Sequence, residues 1–369
     1  MLLILNWFGF FGNAFESMSS AEPSAIFDNF VSNWRTVTGT DMLQRLTTFP
    51  WGFRGFDPDH GNLGAACLQS SLMFIAAITV RGLGQSSRRR AALSLGLLLC
   101  LSSILIASSR GSVIYGVLLL LIAIALHSLC AKWDIALDSG VVGRAWQSNF
   151  ALMAGLCLAL ILGVCYVASK DQKWTQMQDK LKMAGLVESP IGFICEGLSS
   201  KERDSLLSSF PGTEPGLADQ YLEGLRADGG RLIHLRAGAQ LLIEHPFGYD
   251  GSRQAFSSLM LTKCGHPPVN GFAHTHSGWI NMSLSVGIPG TLLYFALLLQ
   301  CCVQGLRSMR LSDERRYFGY ALTLLSLFWL LRAATDAVLQ DHYLLMQGLL
   351  LGFLWGRARL PLSQSASHH

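Results

Sequence analysis

The sequence contains few charged residues: Asp, Glu, Lys and Arg make up 14% of its 369 residues, whereas half of the chain is hydrophobic. Soluble globular domains carry roughly a quarter charged residues, so this shortage excludes an ordinary soluble domain. The net charge of +4 is small for the length of the chain and gives no indication of nucleic-acid binding. The composition therefore predicts a membrane protein.

Several motifs of soluble enzymes are missing. The chain has no Walker phosphate-binding loop, no dinucleotide-binding glycine fingerprint, no G-x-S-x-G nucleophile turn and no zinc-finger spacing of Cys and His. Chemistry on soluble nucleotides therefore has no support in the sequence. No cofactor is expected.

The hydrophobic residues are concentrated in blocks about twenty residues long, which is the length that crosses the hydrocarbon core of a bilayer. The blocks cover residues 62–80, 91–108, 112–129, 149–168, 278–304, 317–334 and 342–356. The apolar segment 1–15 is short for a span and lacks the basic start of a signal peptide, so we interpret it as a membrane helix or the tail of one. These blocks predict an all-α polytopic membrane protein with about seven transmembrane helices and one large helical extracytoplasmic loop.

Basic residues predict the orientation, because cytoplasmic loops are enriched in Lys and Arg. The basic clusters all fall on one side of the predicted membrane: Arg88 to Arg90, Lys132 with Arg144, Arg307 to Arg316, and Arg357 with Arg359. We expect that side to be cytoplasmic. Arg110, the long segment 169–275 and Asp336 are then extracytoplasmic.

This orientation divides the chain into three parts. Residues 1–168 are predicted to form the N-terminal transmembrane helices, with an extracytoplasmic segment at 16–60. Residues 169–275 form the large helical loop, since their apolar residues have helical spacing and their outer faces are charged. Residues 276–369 form the C-terminal transmembrane helices and a short cytoplasmic tail.

Two of the nine cysteines differ from the others. Seven lie in or beside apolar blocks, where a small buried hydrophobe is the expected role. Cys195 and Cys264 lie instead in the long polar segment. In an oxidising compartment they are candidates for a disulfide, although the sequence alone leaves their pairing open.

The segment His274-Thr275-His276 stands directly before a long apolar block. If this segment is extended, the two imidazoles point the same way. A metal site is the weaker interpretation, because H-x-H lacks the further ligands of a recognisable site. A general base is the stronger one, since an unperturbed imidazole titrates near neutral pH.

Two arginines are candidates for binding a phosphate or diphosphate. Arg110 lies between two apolar blocks, and Arg236 lies on an amphipathic helix just before the Gly-rich turn that contains Tyr249. The planar guanidinium gives bidentate hydrogen bonds to phosphate. A headgroup-facing Arg110 and a solvated Arg236 are the structural alternatives.

Asp336 lies between the last two apolar blocks. It is either a turn or cap residue paired with Arg332 one helical turn away, or a carboxylate that orients the histidine or binds a sugar hydroxyl.

Several patches together resemble the O-antigen ligase and polymerase superfamily of bacterial envelope glycan assembly. They are GFDPDHGNLGA (55–65), SSRG (108–111), EHPFGYDG (244–251) with the arginine helix before it, and AHTHSGWINMSLSVGIPG (273–290). The C-terminal RAATDAVLQDHYLLMQGLLLG (332–352) resembles the ligase branch. The spacing from His276 to Gly287 matches the family's histidine segment. Ser277 stands where the family commonly has Asn, and about seven spans are fewer than the family usually has, so its N-terminal helices are expected to be missing from this chain.

The resemblance implies a metal-independent inverting glycosyltransferase of the bacterial inner membrane with its active site facing the periplasm. The donor would be a glycan on undecaprenyl diphosphate, and the acceptor a hydroxyl of lipid A–core, of another glycan or of a protein Ser or Thr. His276 would remove the acceptor proton, while Arg110 and Arg236 would bind the diphosphate. His274, Asp336 and Tyr249 would contact or position substrate. A transporter or flippase is the alternative from another class, and the clustering of polar residues at one face disfavours it.

Overall fold

The computed structural model describes residues 60–81, 87–106, 109–136, 142–170, 177–208, 222, 225, 228–270, 274–311, 313–336, 338–339 and 341–359. Every regular element among these residues is a helix, which confirms the predicted all-α class for the described part of the chain. The predictions for residues 1–15 and 16–59 lie outside the described residues.

The described residues form twelve helices: α1 His60–Arg81, α2 Ser87–Ile106, α3 Arg110–Ala136, α4 Val142–Lys170, α5 Met177–Leu186, α6 Pro190–Glu196, α7 Ser200–Ser208, α8 Asp228–Glu244, α9 Ala255–Cys264, α10 Gly278–Ser308, α11 Asp313–Thr335 and α12 Asp341–Arg359.

Three helical segments are long and apolar enough to cross a membrane: Arg110–Cys130, Gly278–Ser308 and Arg315–Thr335. Two shorter apolar segments, Gly64–Val80 and Met153–Tyr166, lie in α1 and α4. These segments support a membrane protein. The full set of about seven crossings, which also uses α2 and α12, stays a prediction.

The chain forms two compact units. The first contains the residues up to Val167 together with Arg307–Leu325, and the second contains Ala168–Leu306 together with the residues from Ser326 onward. The three-part division predicted from the sequence stays a prediction.

In the first unit, α1 packs against α2 and α3. The contact with α3 is close at Gly64, where an added Cβ would lie 2.5 Å from Ser109 Cβ. Ser109 Oγ donates to Ser112 Oγ at 2.9 Å. Arg110, which follows Ser109, is therefore the first residue of a helix whose start is held against α1.

The second unit contains a folded helical subdomain made from the long polar segment. Its core consists of buried side chains from six helices, α5 to α10, together with Val187 and Leu225 from outside the helices: Met183, Ala184, Val187, Phe193, Ile194, Cys195, Leu206, Leu225, Ile233, Ala237, Leu241, Ala255, Phe256, Leu259, Met260 and Leu284. Helix α8 packs against α5 and α6, and α6 packs against α9.

A disulfide joins two helices of this subdomain. Cys195 in α6 is bonded to Cys264 at the end of α9, with their Cα atoms 5.2 Å apart. The pairing left open by the sequence is therefore present in the structure. Because 69 positions separate the two residues, the bond restricts a large part of the subdomain in the unfolded chain.

Candidate active site at the start of helix α10

Helix α10 is interrupted at Gly287, whose φ of 82° and ψ of 165° are not helical. Pro289 follows inside the helix and lacks the N–H that would restore the backbone ladder. The interruption frees backbone groups on both sides, and these groups need new partners.

The loop after α8 supplies those partners. Tyr249 N donates to Leu284 O at 2.9 Å, and Gly251 N donates to Ser285 O at 3.1 Å. In the other direction, Ile288 N donates to Pro246 O at 2.8 Å. Backbone hydrogen bonds therefore hold the motif HPFGYDG against the motif GIPG.

Two glycines make this contact possible. Gly248 has a φ of 88°, and a Cβ at that position would lie 2.6 Å from Ser285 O. A Cβ on Gly287 would lie 2.6 Å from the carbonyl carbon of Phe247. Only glycine combines a positive φ with so close an approach of two backbones.

His276 is the one non-glycine residue with a positive φ among the described residues, at 58°. A left-handed conformation is uncommon for a side-chain-bearing residue, although histidine tolerates it better than most. Strain of this kind persists only where the surrounding structure holds it. The residues on both sides of His276 provide that restraint.

Asn281 holds the segment from within α10. Its Oδ1 accepts from Thr275 N at 3.0 Å and from Thr275 Oγ1 at 2.8 Å. Ser277 N in turn donates to Thr275 Oγ1 at 3.3 Å. Thr275 is completely buried, so this network fixes the backbone on both sides of His276.

Helix α8 contacts the same segment through Gly238. A Cβ at Gly238 would overlap Thr275 Cγ2 and would lie 2.9 Å from Ile280 Cγ2. The glycine therefore allows the helix backbone to touch the segment that carries His276. Gly278 makes a second close contact, since its N donates to Asp336 O at 2.9 Å.

Three histidines lie together at this point. The ring centroids of His274 and His276 are 4.5 Å apart, and those of His234 and His276 are 6.2 Å apart with nearly perpendicular planes. The sequence identified His274 and His276. It did not identify His234, which comes from the buried face of α8.

His234 is held between two backbone carbonyls. Its Nδ1 lies 2.6 Å from Gly230 O, and its Nε2 lies 3.0 Å from Asn270 O. Burial lowers the pKa of His234, and the two carbonyl acceptors oppose that shift because they favour a ring with a proton on each nitrogen. The Asn270 carbonyl is itself fixed, since Asn270 N donates to Ile194 O and Asn270 Nδ2 donates to Phe193 O, both in the disulfide-bonded α6.

The pKa of His276 is lowered from 6.5 to about 3. Burial is the main cause, because it penalises the charged ring. Positive charge on His274, Arg231 and His234 adds to the shift. At neutral pH His276 is therefore an uncharged imidazole, the form that accepts a proton.

Arg231 is the arginine whose charge acts on His276. Its side chain is exposed, and within the described part of the chain it makes no ion pair or hydrogen bond. A guanidinium whose charge acts on a neutral imidazole offers positive charge for an anion in the neighbourhood of a proton acceptor. Arg231 was not among the site residues predicted from the sequence.

Arg236 has a different environment. Its Nη1 donates to Ala184 O at 2.9 Å and to Gly185 O at 3.2 Å, near the end of α5. These carbonyls belong to the last turn of a helix, where they lack partners within the helix. The contact joins α8 to α5, and the predicted role of Arg236 in binding diphosphate stays a prediction.

Asp336 contributes through both its backbone and its side chain. Its carbonyl accepts from Gly278 N, two residues after His276, and its Oδ2 lies 3.4 Å from Arg332 Nη2. Arg332 is buried and also stacks near the rings of Trp329 and Tyr343. Asp336 therefore supports the start of α10, and a direct contact with substrate stays a prediction.

Tyr249 is half exposed in the loop that fills the α10 interruption. Its ring makes an edge contact with His245 at a centroid distance of 5.6 Å.

Arg110 belongs to the first unit, whereas the other predicted site residues belong to the second. No cluster of three or more His, Cys, Asp or Glu that could hold a metal ion occurs among the described residues.

The fold and site define an α-helical protein with three helical segments long and apolar enough to cross a membrane, and with a partly buried histidine just before one of them. No known protein family, curated protein or solved structure matches the chain.

Proposed function

We propose that this protein is a multi-pass glycosyltransferase of the bacterial inner membrane, of the O-antigen ligase type. It transfers a glycan from undecaprenyl diphosphate to a hydroxyl of lipid A–core at the periplasmic face. The observation that carries the proposal is the neutral His276, fixed in a left-handed conformation just before α10 and within reach of the charge of the exposed Arg231.

The reaction requires one base and one site for negative charge. The acceptor hydroxyl oxygen forms a bond to the anomeric carbon while the bond from that carbon to the diphosphate oxygen breaks. The acceptor proton passes to the His276 imidazole, and the electron pair of the broken bond leaves with the diphosphate. Arg231 stabilises the negative charge that builds on the diphosphate. No metal ion takes part in these steps.

The lowered pKa keeps His276 uncharged and open to a proton at neutral pH, and it also makes the imidazole a weak base in the protein alone. A general base works best when its pKa is near the working pH, and positive neighbours contribute to the low value in the protein alone. A bound diphosphate would offset the charges of Arg231 and His274 and so remove that part of the shift, whereas the larger part, which comes from burial, would remain.

Arg110 and Arg236 remain candidate diphosphate ligands from the sequence, and His274, Tyr249 and Asp336 remain candidate substrate contacts. The same chemistry with another acceptor, a second glycan or a protein Ser or Thr, describes a glycan polymerase or a protein O-oligosaccharyltransferase. The acceptor therefore has to be tested together with the reaction.

Complementation tests the proposal. The chain is expressed in a strain that lacks its own lipopolysaccharide ligase, and lipopolysaccharide is separated on a gel. We expect a ladder with the wild-type chain, no ladder with His276→Ala, and a ladder with the matched control His266→Ala, because His266 is exposed and lies outside the cluster.

The variants are compared at equal protein level in the membrane fraction. A ladder with His276→Ala contradicts the base assignment. If no ladder forms and the glycan is found on a polymer or on a protein, that molecule is the acceptor in place of lipid A–core.

A further inference from the structure

The two most exposed large hydrophobic side chains in the described part of the chain lie at the end of α8. Ile243, in its last turn, is 81% exposed, and Phe247, in the loop that follows, is 84% exposed. The backbone of Phe247 touches Gly287, and the neighbours of that glycine, Val286 and Ile288, are exposed as well. Exposed apolar residues that occur together mark a contact with a partner or a membrane.

Helix α8 runs beside α10 in the same direction. Gly238 lies against Ile280, since an added Cβ would be 2.9 Å from Ile280 Cγ2. Further on, Pro246 O accepts from Ile288 N at 2.8 Å. From the first contact to the second, both chains advance by eight residues, from 238 to 246 and from 280 to 288. The end of α8 therefore lies beside the interruption of α10, well away from the start of that helix.

The interruption divides α10 at the level where the hydrocarbon of a bilayer would end. The whole helix has 31 residues, about 46 Å in length, whereas the hydrocarbon is about 30 Å thick. Residues 288–306 are mostly apolar, extend over about 29 Å and are followed by Arg307, a type of residue that stays outside hydrocarbon. With residues 288–306 in the hydrocarbon, Gly287 and Phe247 lie at its boundary. The part of α10 before Gly287 carries the polar side chains of Asn281, Ser283 and Ser285.

We propose that Ile243 and Phe247 insert among the acyl chains of the lipid leaflet beside α10, and so attach the end of α8 to the membrane. Acyl chains are apolar and adapt to any shape, so they cover both side chains and remove them from water. Tyr249 follows in the same loop and is half exposed, and a tyrosine ring with its hydroxyl group is suited to the headgroup level. This contact does not depend on the proposed transferase activity.

The acidic side chains near this contact are both paired. Glu244 Oε2 lies 2.6 Å from Lys263 Nζ. The Asp250 carboxylate accepts from Ser252 N at 2.9 Å and from Ser252 Oγ at 2.8 Å. An isolated charge at the edge of hydrocarbon is costly, so these pairs are what a membrane contact requires.

A second protein is a less suitable occupant of this surface. Leu292 and Leu293 of α10, just beyond the interruption, are 60% and 75% exposed, and the leaflet covers them if α10 crosses the membrane. The same leaflet reaches Phe247, because Phe247 touches α10 at the boundary. A protein partner would first have to displace that lipid.

Photochemical cross-linking to lipid tests the proposal. Full-length chains that carry p-benzoylphenylalanine at position 243, 247 or 269 are reconstituted in vesicles of phosphatidylethanolamine and phosphatidylglycerol with radiolabelled acyl chains. On irradiation, the ketone of this amino acid bonds to nearby C–H groups. We expect labelled lipid on the chain from positions 243 and 247, and at least about tenfold less from position 269, because an interfacial contact reaches only a short way from the leaflet.

Val269 is the matched control, since it is apolar and exposed but lies near the other end of α8. Its neighbour Asn270 contacts His234 through the Asn270 carbonyl at 3.0 Å. His234 precedes Ile243 by nine residues of helix, which is about 14 Å. Each variant is checked for the Cys195–Cys264 disulfide by its gel mobility with and without reductant, so that only folded chains are compared. Position 243 tests the proposal by itself if the change at 247 prevents folding.

Two results would overturn the proposal. Labelling from positions 243 and 247 that is no stronger than from position 269 would mean that the end of α8 does not enter the leaflet. Cross-links from position 247 to a peptide, in place of lipid, would mean that another part of the chain or a second copy covers Phe247. Peptide mass spectrometry and a dimer band on the gel distinguish those two occupants.

Discussion

Acidification should destabilise this protein through His276, and the size of the effect follows from the structure. In the unfolded chain the imidazole takes up a proton near pH 6.5, whereas in the folded chain its pKa is about 3. Between these values the unfolded state binds one proton more than the folded state. The free energy of unfolding therefore falls as the pH falls, by about 1.4 kcal/mol per pH unit for this one group.

The comparison that isolates this effect is His276→Asn against wild type. Asparagine does not titrate in this range and tolerates a positive φ, so the variant keeps the backbone conformation and removes the proton. From pH 6.5 to pH 5 the wild-type protein should lose at most about 2 kcal/mol more than the variant. Other groups that titrate, His234 among them, cancel in the difference.

Denaturant unfolding in detergent, followed by tryptophan fluorescence at several pH values, measures this difference. Equal losses of stability in the two proteins would refute the account, because His276 would then have the same pKa when folded and unfolded. A wild-type protein that becomes more stable than the variant at pH 5 would mean that the folded site stabilises the charged ring. Either result removes the neutral base from the mechanism.

Three further outcomes are expected. Arg231→Lys should raise the KM for the donor by roughly tenfold with little change in Tm, because a point charge replaces a bidentate guanidinium. Arg236→Lys should mainly lower Tm, because Arg236 joins α8 to α5. Steady-state kinetics and thermal unfolding of the two variants separate these roles, and the reverse pattern would contradict them. Gly238→Ala should cost about 1 to 3 kcal/mol and lower kcat, since its Cβ would push the Thr275 segment; unchanged kcat and Tm would refute the close contact. Cys195→Ser should cost up to about 4 kcal/mol through the lost 69-residue link, measured by denaturant unfolding; reduction of the Cys195→Ser variant should then have no additional effect.

Much of the helical architecture is predictable from local sequence. Three of the seven apolar blocks contain helical segments with the length and composition of membrane helices, and the spacing in the polar segment is that of packed amphipathic helices. The candidate pairing of Cys195 with Cys264 follows from their common location in that segment. The start of α10 at Gly278, directly after the histidines, follows from the onset of the apolar block.

The identity of the arginine near His276 is not predictable in the same way. Arg231 and Arg236 lie five positions apart on one helix, so their side chains leave it in directions about 140° apart. Which of them acts by its charge on His276 depends on how α8 docks on α5 and on the Thr275 segment, and that docking is made by residues distant in sequence. His234 was missed for the same reason, since it occupies the buried face of α8.

The interruption of α10 also depends on long-range contacts. Glycine and proline at Gly287 and Pro289 signal a weak point in a helix, but a weak point becomes a break only when other groups take its hydrogen bonds. The loop from Pro246 to Gly251 supplies those groups from more than thirty residues away. The geometry that the two motifs form together is not visible when each is considered alone.

The most direct test of the central claim is transfer by the purified protein. Labelled glycan on undecaprenyl diphosphate is mixed with lipid A–core and the protein in detergent, with a chelator present, and the labelled lipid product is quantified. We expect glycosylated lipid A–core and free undecaprenyl diphosphate in equal amounts, with product lost in His276→Asn and retained in His266→Ala. Equal product from His276→Asn, or no turnover of the donor with any hydroxyl acceptor, would contradict it.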